Sequence, residues 1–161
     1  MVSEQIVEDT WREVASLDPL SARRQMEAIA RRQRDLLVFV TTMCQDLSVA
    51  AQEIAIYAFV VILRMFEHSS ARRLPRARRQ RIAAAFKNAD NELGRLTTAD
   101  DRFIERHARV SAGSEPFVMR YITEVLLEPD DPDALLPDDE VGAVFMCLKT
   151  VVDVLHDITP G

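Results

Sequence analysis

The chain has 161 residues, of which 48% are apolar and only four are glycine, with a net charge of −6. That length fits one domain able to bury roughly two-thirds of its unfolded surface, and the composition favours packed helices over disorder or a turn-rich β fold. The charge is uneven. Residues 1–109 hold 18 basic and 15 acidic side chains, whereas residues 110–161 hold two basic side chains, Arg120 and Lys149, and 11 acidic ones. Such asymmetry calls for a complement elsewhere in the chain or on a partner.

A first helix is predicted from Ser3 to Leu17, with Ile6, Val7, Trp11, Val14 and Leu17 on one stripe. Asp18-Pro19 then reads as an N-cap followed by a first helical residue. A second, long helix is predicted from Pro19 to Leu47. Its seam, Met26, Ile29, Gln33, Leu36, Val40, Met43 and Leu47, alternates steps of three and four as in helical bundles. Gln33 is the polar interruption, read either as a seam-end residue touching solvent or as a register-setting or ligand-binding amide.

Ser48 caps the third helix, which runs to about His68. Within it, Ile54–Leu63 has no charge and no amide. A helix apolar on all sides must be enclosed on all sides. Ten residues span only about 15 Å, half a bilayer core, so protein is the expected enclosure and no membrane is invoked. The N-terminal sequence lacks the pattern of a signal peptide, so a cytoplasmic location is the default expectation.

Six arginines, Arg72, Arg73, Arg76, Arg78, Arg79 and Arg81, fall between Ala71 and Arg81 with no acid. Pro75 is expected to start a fourth helix ending near Leu96, with Ile82, Phe86, Ala89, Leu93 and Leu96 inward. Arginines at a helix N-terminus oppose the macrodipole by about 0.3–1 kcal/mol each, which points to compensation from a partner. A short fifth helix from Thr98 to Gly113 carries Phe103, His107 and Val110 on one face. A sixth follows Ser114 and stops at Pro129. The segment from Glu128 to Glu140 holds seven acids and no base. Six of them, Glu128, Asp130, Asp131, Asp133, Asp138 and Asp139, are the natural counterpart of the six arginines, within one subunit or across a dimer. The last helix runs from Asp138 to Ile158; its Val151-Val152-Asp153-Val154 has strand propensity, but the helical period over the whole stretch outweighs it.

The expected fold is therefore an all-α, single-domain bundle of six or seven helices over residues 1–161. It contains two helical hairpins, about 33–67 and 114–156, that read either as copies of one unit or as chance likeness. If they are copies, helix three packs on the last helix, with Arg64 beside Asp153 and Glu67 beside His156.

Chemistry is sparsely signalled. Asp153 and His156 have the spacing of a carboxylate and an imidazole on one helix face, but a di-metal bundle site needs two such pairs and further carboxylates. Cys44 and Cys147 lack metal-ligand spacing and read as buried free thiols. No phosphate-binding glycine loop, nucleophile elbow or calcium loop is present. No catalytic, cofactor-binding or metal residue is assigned, and no enzymatic activity is expected. The arginine segment lacks interleaved aromatics, and the chain is acidic overall, so nucleic acid is a secondary reading. The first expectation is a protein interaction or regulatory module, probing a protein partner or a second copy as a homodimer. The alternatives are a nucleic-acid binder using residues 72–81, and a ligand or metal binder with a pocket between the third and last helices.

Overall fold

A computed structural model describes the backbone of residues 1–96 and 114–160 and the side chains of 1–92 and 114–160. Among the described residues, seven α-helices and one short 3₁₀ turn make up the regular structure: α1 (Glu4–Ala15), α2 (Pro19–Arg32), α3 (Arg34–Met43), α4 (Val49–Ser69), α5 (Arg79–Leu96), α6 (Pro116–Leu127), the turn Pro132–Ala134, and α7 (Asp138–Ile158). The chain is all-α, as the apolar periodicity implies, and Val151–Val154 is helical. The helix expected over Thr98–Gly113, with His107, lies outside the described residues.

Local chemistry accounts for most helix starts. The side chains of Ser3, Asp18 and Ser48 accept hydrogen bonds from the backbone N–H groups of Ile6, Ser21 and Ala51, satisfying donors that have no partner inside the helix. Pro19 and Pro116 occupy first-turn positions where a missing N–H costs nothing. Asp138, Asp139 and Glu140 lie in the first turn of α7, where the dipole favours negative charge.

α4 and α7 pack together at the centre, with α1, α3 and α6 on α4 and with α3, α5 and α6 on α7. The core is built from Ala55, Ala58, Phe59, Ile62, Leu63 and Phe66 of α4 and from Val144, Phe145, Leu148, Val151 and Leu155 of α7. Small residues at 51, 55 and 58 let neighbouring helices approach one side of α4 closely. α4 is long and apolar enough to cross a membrane by length and composition, yet more than half of that stretch is already buried inside the protein. Glu140 ties the two central helices at one end, accepting the backbone N–H and the hydroxyl of Ser48 at 2.9 and 2.8 Å.

Five expectations change. α4 is not enclosed on all sides: Val49 is 70% and Tyr57 44% exposed, because α2 covers that face only loosely. The predicted long second helix breaks at Gln33, whose backbone leaves the helical region (φ −129°, ψ 51°). The seam continues across the break, which is why periodicity alone ran through it. The helix after Pro75 begins four residues later, at Arg79, and α6 is preceded by Glu115 as its cap position rather than Ser114. Finally, Trp11 is 36% exposed while Thr10 is fully buried on the inner face of α1. Trp11 instead donates to Glu8 on its own helix at 3.3 Å.

Candidate functional site

Gln33 organises the surface of greatest interest. Its side chain is buried, and its amide pairs with an extended segment 42 and 44 positions away. The Nε2 donates to the carbonyl of Pro75 at 2.9 Å, and the Oε1 accepts the N–H of Ala77 at 3.0 Å. A primary amide presents one donor and one acceptor side by side, as a peptide edge does. Gln33 thus substitutes for a neighbouring strand and straps residues 75–77 across the α2–α3 break.

The strap places part of the arginine segment over the C-terminal ends of α2 and α4. Arg76 donates to the carbonyl of Arg31 at 2.9 Å, at the end of α2, where a cation suits the dipole. Ser70 donates to the carbonyl of Arg72 at 2.6 Å and turns the chain after α4. Arg32 and Arg64 both bond Glu67, at 2.8 and 3.1 Å, and Arg64 also reaches Glu13 on α1 at 3.0 Å. Burial works against the charge on Arg64, but Glu13 and Glu67 outweigh it and hold its pKa above the ordinary guanidinium value. Its Nε is buried with no hydrogen-bond partner among the described residues. His68 continues the network, sharing a 3.0 Å hydrogen bond with Thr10 and lying 3.7 Å from Glu13.

The result is a trough in two adjoining parts. One, of about 320 Å³, is lined by Arg32, Gln33, Arg64, Glu67, Arg72, Arg73 and Leu74. The other, of about 500 Å³, shares Arg32, Arg73 and Leu74 and adds Ala28, Arg31 and Arg76. The guanidiniums of Arg72 and Arg73 have no partner among the described residues. Arg78, Arg79 and Arg81 are exposed at the start of α5 and do not line the trough. The arginine block is therefore two groups with different surroundings, a division that the sequence does not reveal.

A second concavity lies on the open face of α4. Val14 and Leu17 of the α1 end, Met26 of α2, and Val49, Ile56, Tyr57 and Val60 of α4 line a groove of about 470 Å³. Only one side chain of α2, Ile29, is buried, so this arginine-rich helix stands as an outer wall rather than as part of the core. Gln25, Gln52 and Glu53 supply the polar lining. Burial raises the pKa of Tyr57.

Within the single chain the expected charge pairings are not made. Among the described residues no ion pair joins Arg72, Arg73, Arg76, Arg78, Arg79 or Arg81 to Glu128, Asp130, Asp131, Asp133, Asp138 or Asp139; these acids are exposed, and Asp131 caps its own turn by accepting from Asp133. Arg64 does not pair with Asp153, nor Glu67 with His156. Asp153 accepts from Lys149 at 2.6 Å, and His156 shares a 2.8 Å hydrogen bond with Glu115. Glu115 is 2% exposed and also accepts the N–H of Val2 at 2.8 Å, so it pins the N-terminus to the end of α7. Lys149, its side chain 4% exposed, lies between Asp153 and Glu92 of α5. Each partner is one helical turn away or lies on an unanticipated element, so position in a repeat did not predict it.

Cys44 and Cys147 are both buried free thiols. They face one another from α3 and α7: their mutual hydrogen bond lowers the pKa of Cys44 and, with burial, raises that of Cys147. Among the described residues no group of three His, Cys, Asp or Glu side chains is placed to hold a metal ion. The grooves described above lie on faces of the bundle other than the contact of α4 with α7, where Phe59, Ile62, Phe66, Phe145, Leu148 and Leu155 are buried. Comparison with protein-family models, with curated proteins and with solved structures gave no match to this chain.

Proposed function

We propose that the protein is a non-catalytic interaction module that captures an amphipathic helix of a partner protein in the groove between α1, α2 and α4. One observation carries the proposal: the most apolar helix among the described residues leaves Val49 and Tyr57 exposed, with the half-buried Ile56, beside Met26 and Leu17. The groove's chemistry suits binding rather than reaction. Among the described residues its only ionisable lining groups are Glu53 and Tyr57, with no nucleophile beside a base. Its shape suits a helix. From Val49 to Val60 α4 offers about 17 Å, matching anchors at i, i+3, i+4 and i+7 of an incoming helix. The unbranched Met26 adapts to such anchors.

Magnitude favours a helix over a smaller ligand. Apolar burial contributes about 2.5 kcal/mol per 100 Å², whereas association costs about 4–15 kcal/mol. An occupant must therefore cover several hundred Å². Glu53 at the rim favours a partner with basic flanks.

The test is fluorescence anisotropy with a labelled amphipathic peptide of about fourteen residues, Leu at i, i+3, i+4 and i+7 and Lys at both ends. Saturable binding that is lost in Val49→Glu and weakened in Tyr57→Ala supports the proposal. Equal binding of a proline-broken peptide, or unchanged binding to Val49→Glu, rejects it. Concentration-dependent dimerisation abolished by Val49→Glu would assign the groove to a second copy instead.

A further inference from the structure

We infer that the trough formed by Arg31, Arg32, Arg64, Arg72, Arg73 and Arg76 binds a compact, multiply charged phosphate-type anion. The charge balance comes first. Against six guanidiniums stand two carboxylates, Glu67 and Glu13, and the C-termini of α2 and α4, each worth about half a negative charge. About three positive charges remain unmatched, in a protein whose net charge is −6. A concave basic site on an acidic protein focuses anions locally without attracting them to the whole surface.

Three of the six arginines, Arg32, Arg64 and Arg76, are also held in position before any ligand arrives. Glu67 holds Arg32 and Arg64 from one side, the Arg31 carbonyl holds Arg76, and Gln33 fixes the backbone between Arg73 and Arg78. Each guanidinium has five N–H donors, so these contacts leave donors to spare. Ordering long side chains ahead of binding removes part of its entropic cost.

The donors come from three directions: α2, α4 and the 72–76 segment. A tetrahedral phosphate group offers oxygens to all three, whereas a carboxylate accepts within one plane. Among the described residues Leu74 is the only large apolar one lining the trough, and no aromatic ring lines it to stack a base. The ligand class is therefore a phosphate or pyrophosphate group on a small molecule without a recognised base.

Isothermal titration and thermal shift with inorganic pyrophosphate, on the full chain near 0.15 M salt, test this. The expected result is saturable one-to-one binding, weakened about tenfold or more in Arg72→Gln/Arg73→Gln. Arg78→Gln/Arg79→Gln, which removes equal charge outside the trough, should leave it within about twofold. No binding of pyrophosphate by either method overturns the proposal, as does equal loss in both double variants, which would mean diffuse attraction. Citrate of matched charge binding as tightly would overturn the phosphate assignment. Pyrophosphate-reversible self-association, seen by light scattering and lost in Arg72→Gln/Arg73→Gln, would show instead that the acidic segment of a second copy fills the trough. Peptide binding in the groove should be unaffected by all these arginine changes, so the two proposals fail separately.

Discussion

The side-chain carbonyl of Gln33 accepts the backbone N–H of Ala77 at 3.0 Å across 44 positions of sequence. With the companion bond to Pro75, it both tolerates the break between α2 and α3 and sets the path of the arginine segment. Gln33→Leu keeps the bulk but leaves a buried N–H and a carbonyl unpaired. Each orphaned group costs about 1–3 kcal/mol, so urea unfolding should show a loss of about 2–4 kcal/mol. Pyrophosphate affinity should fall with it, although no arginine has been changed.

The two faces of α4 should differ sharply. Phe59 is fully buried, and Phe59→Ala should cost about 3–5 kcal/mol. Val49→Ala, on the open face, should change stability by no more than about 0.5 kcal/mol. Chemical denaturation of the two variants measures the contrast directly. Similar losses would mean that the groove is closed in solution.

Glu115 supplies the cross-link between the N-terminus and the end of α7. Glu115→Ala removes acceptors from Val2 and His156. A loss of about 1–3 kcal/mol is expected, together with faster proteolysis within the first residues.

Gly142 lies inside α7, and a Cβ added there meets nothing within 4 Å. Gly142→Ala should therefore stabilise the protein by about 0.5–1 kcal/mol, the helix-propensity difference. A melting temperature that does not rise would contradict the open space.

Two carboxylates should respond to pH in opposite senses. The N–H and hydroxyl of Ser21 hold the pKa of Asp18 below the usual range. Its contribution is therefore present above the unfolded pKa and is lost as pH falls through the lowered folded value. Burial raises the pKa of Asp153, and Lys149 only partly offsets this. The folded chain then keeps that proton longer than the unfolded chain, and stability is lost as pH rises from the unfolded pKa through the folded one. Between pH 3 and 6, the stability advantage of the parent over Asp18→Ala should grow with pH, while that over Asp153→Asn should shrink. Matched urea titrations give both slopes.

The helices were legible because they follow short-range rules. Apolar steps of three and four, Asp18 and Ser48 as caps, and Pro19 as a first-turn residue act within one or two turns. They place helix starts without reference to any neighbour. The opposed readings of Gln33 could not be separated in this way, since a seam position looks the same whether the helix continues or breaks. Its role became visible only through contacts with Pro75 and Ala77.

By itself, then, the sequence determined an all-α chain, its central apolar helix and the segregation of arginines from acids. Tertiary structure alone decided that α4 is uncovered along one face, that Arg64 meets Glu13 rather than Asp153, and that His156 meets Glu115. It also decided that only part of the arginine block joins Arg31, Arg32 and Arg64 in one trough. The physical reason is range. Helix formation is settled by hydrogen bonds four residues apart, whereas a charge's partner is settled by how the helices pack.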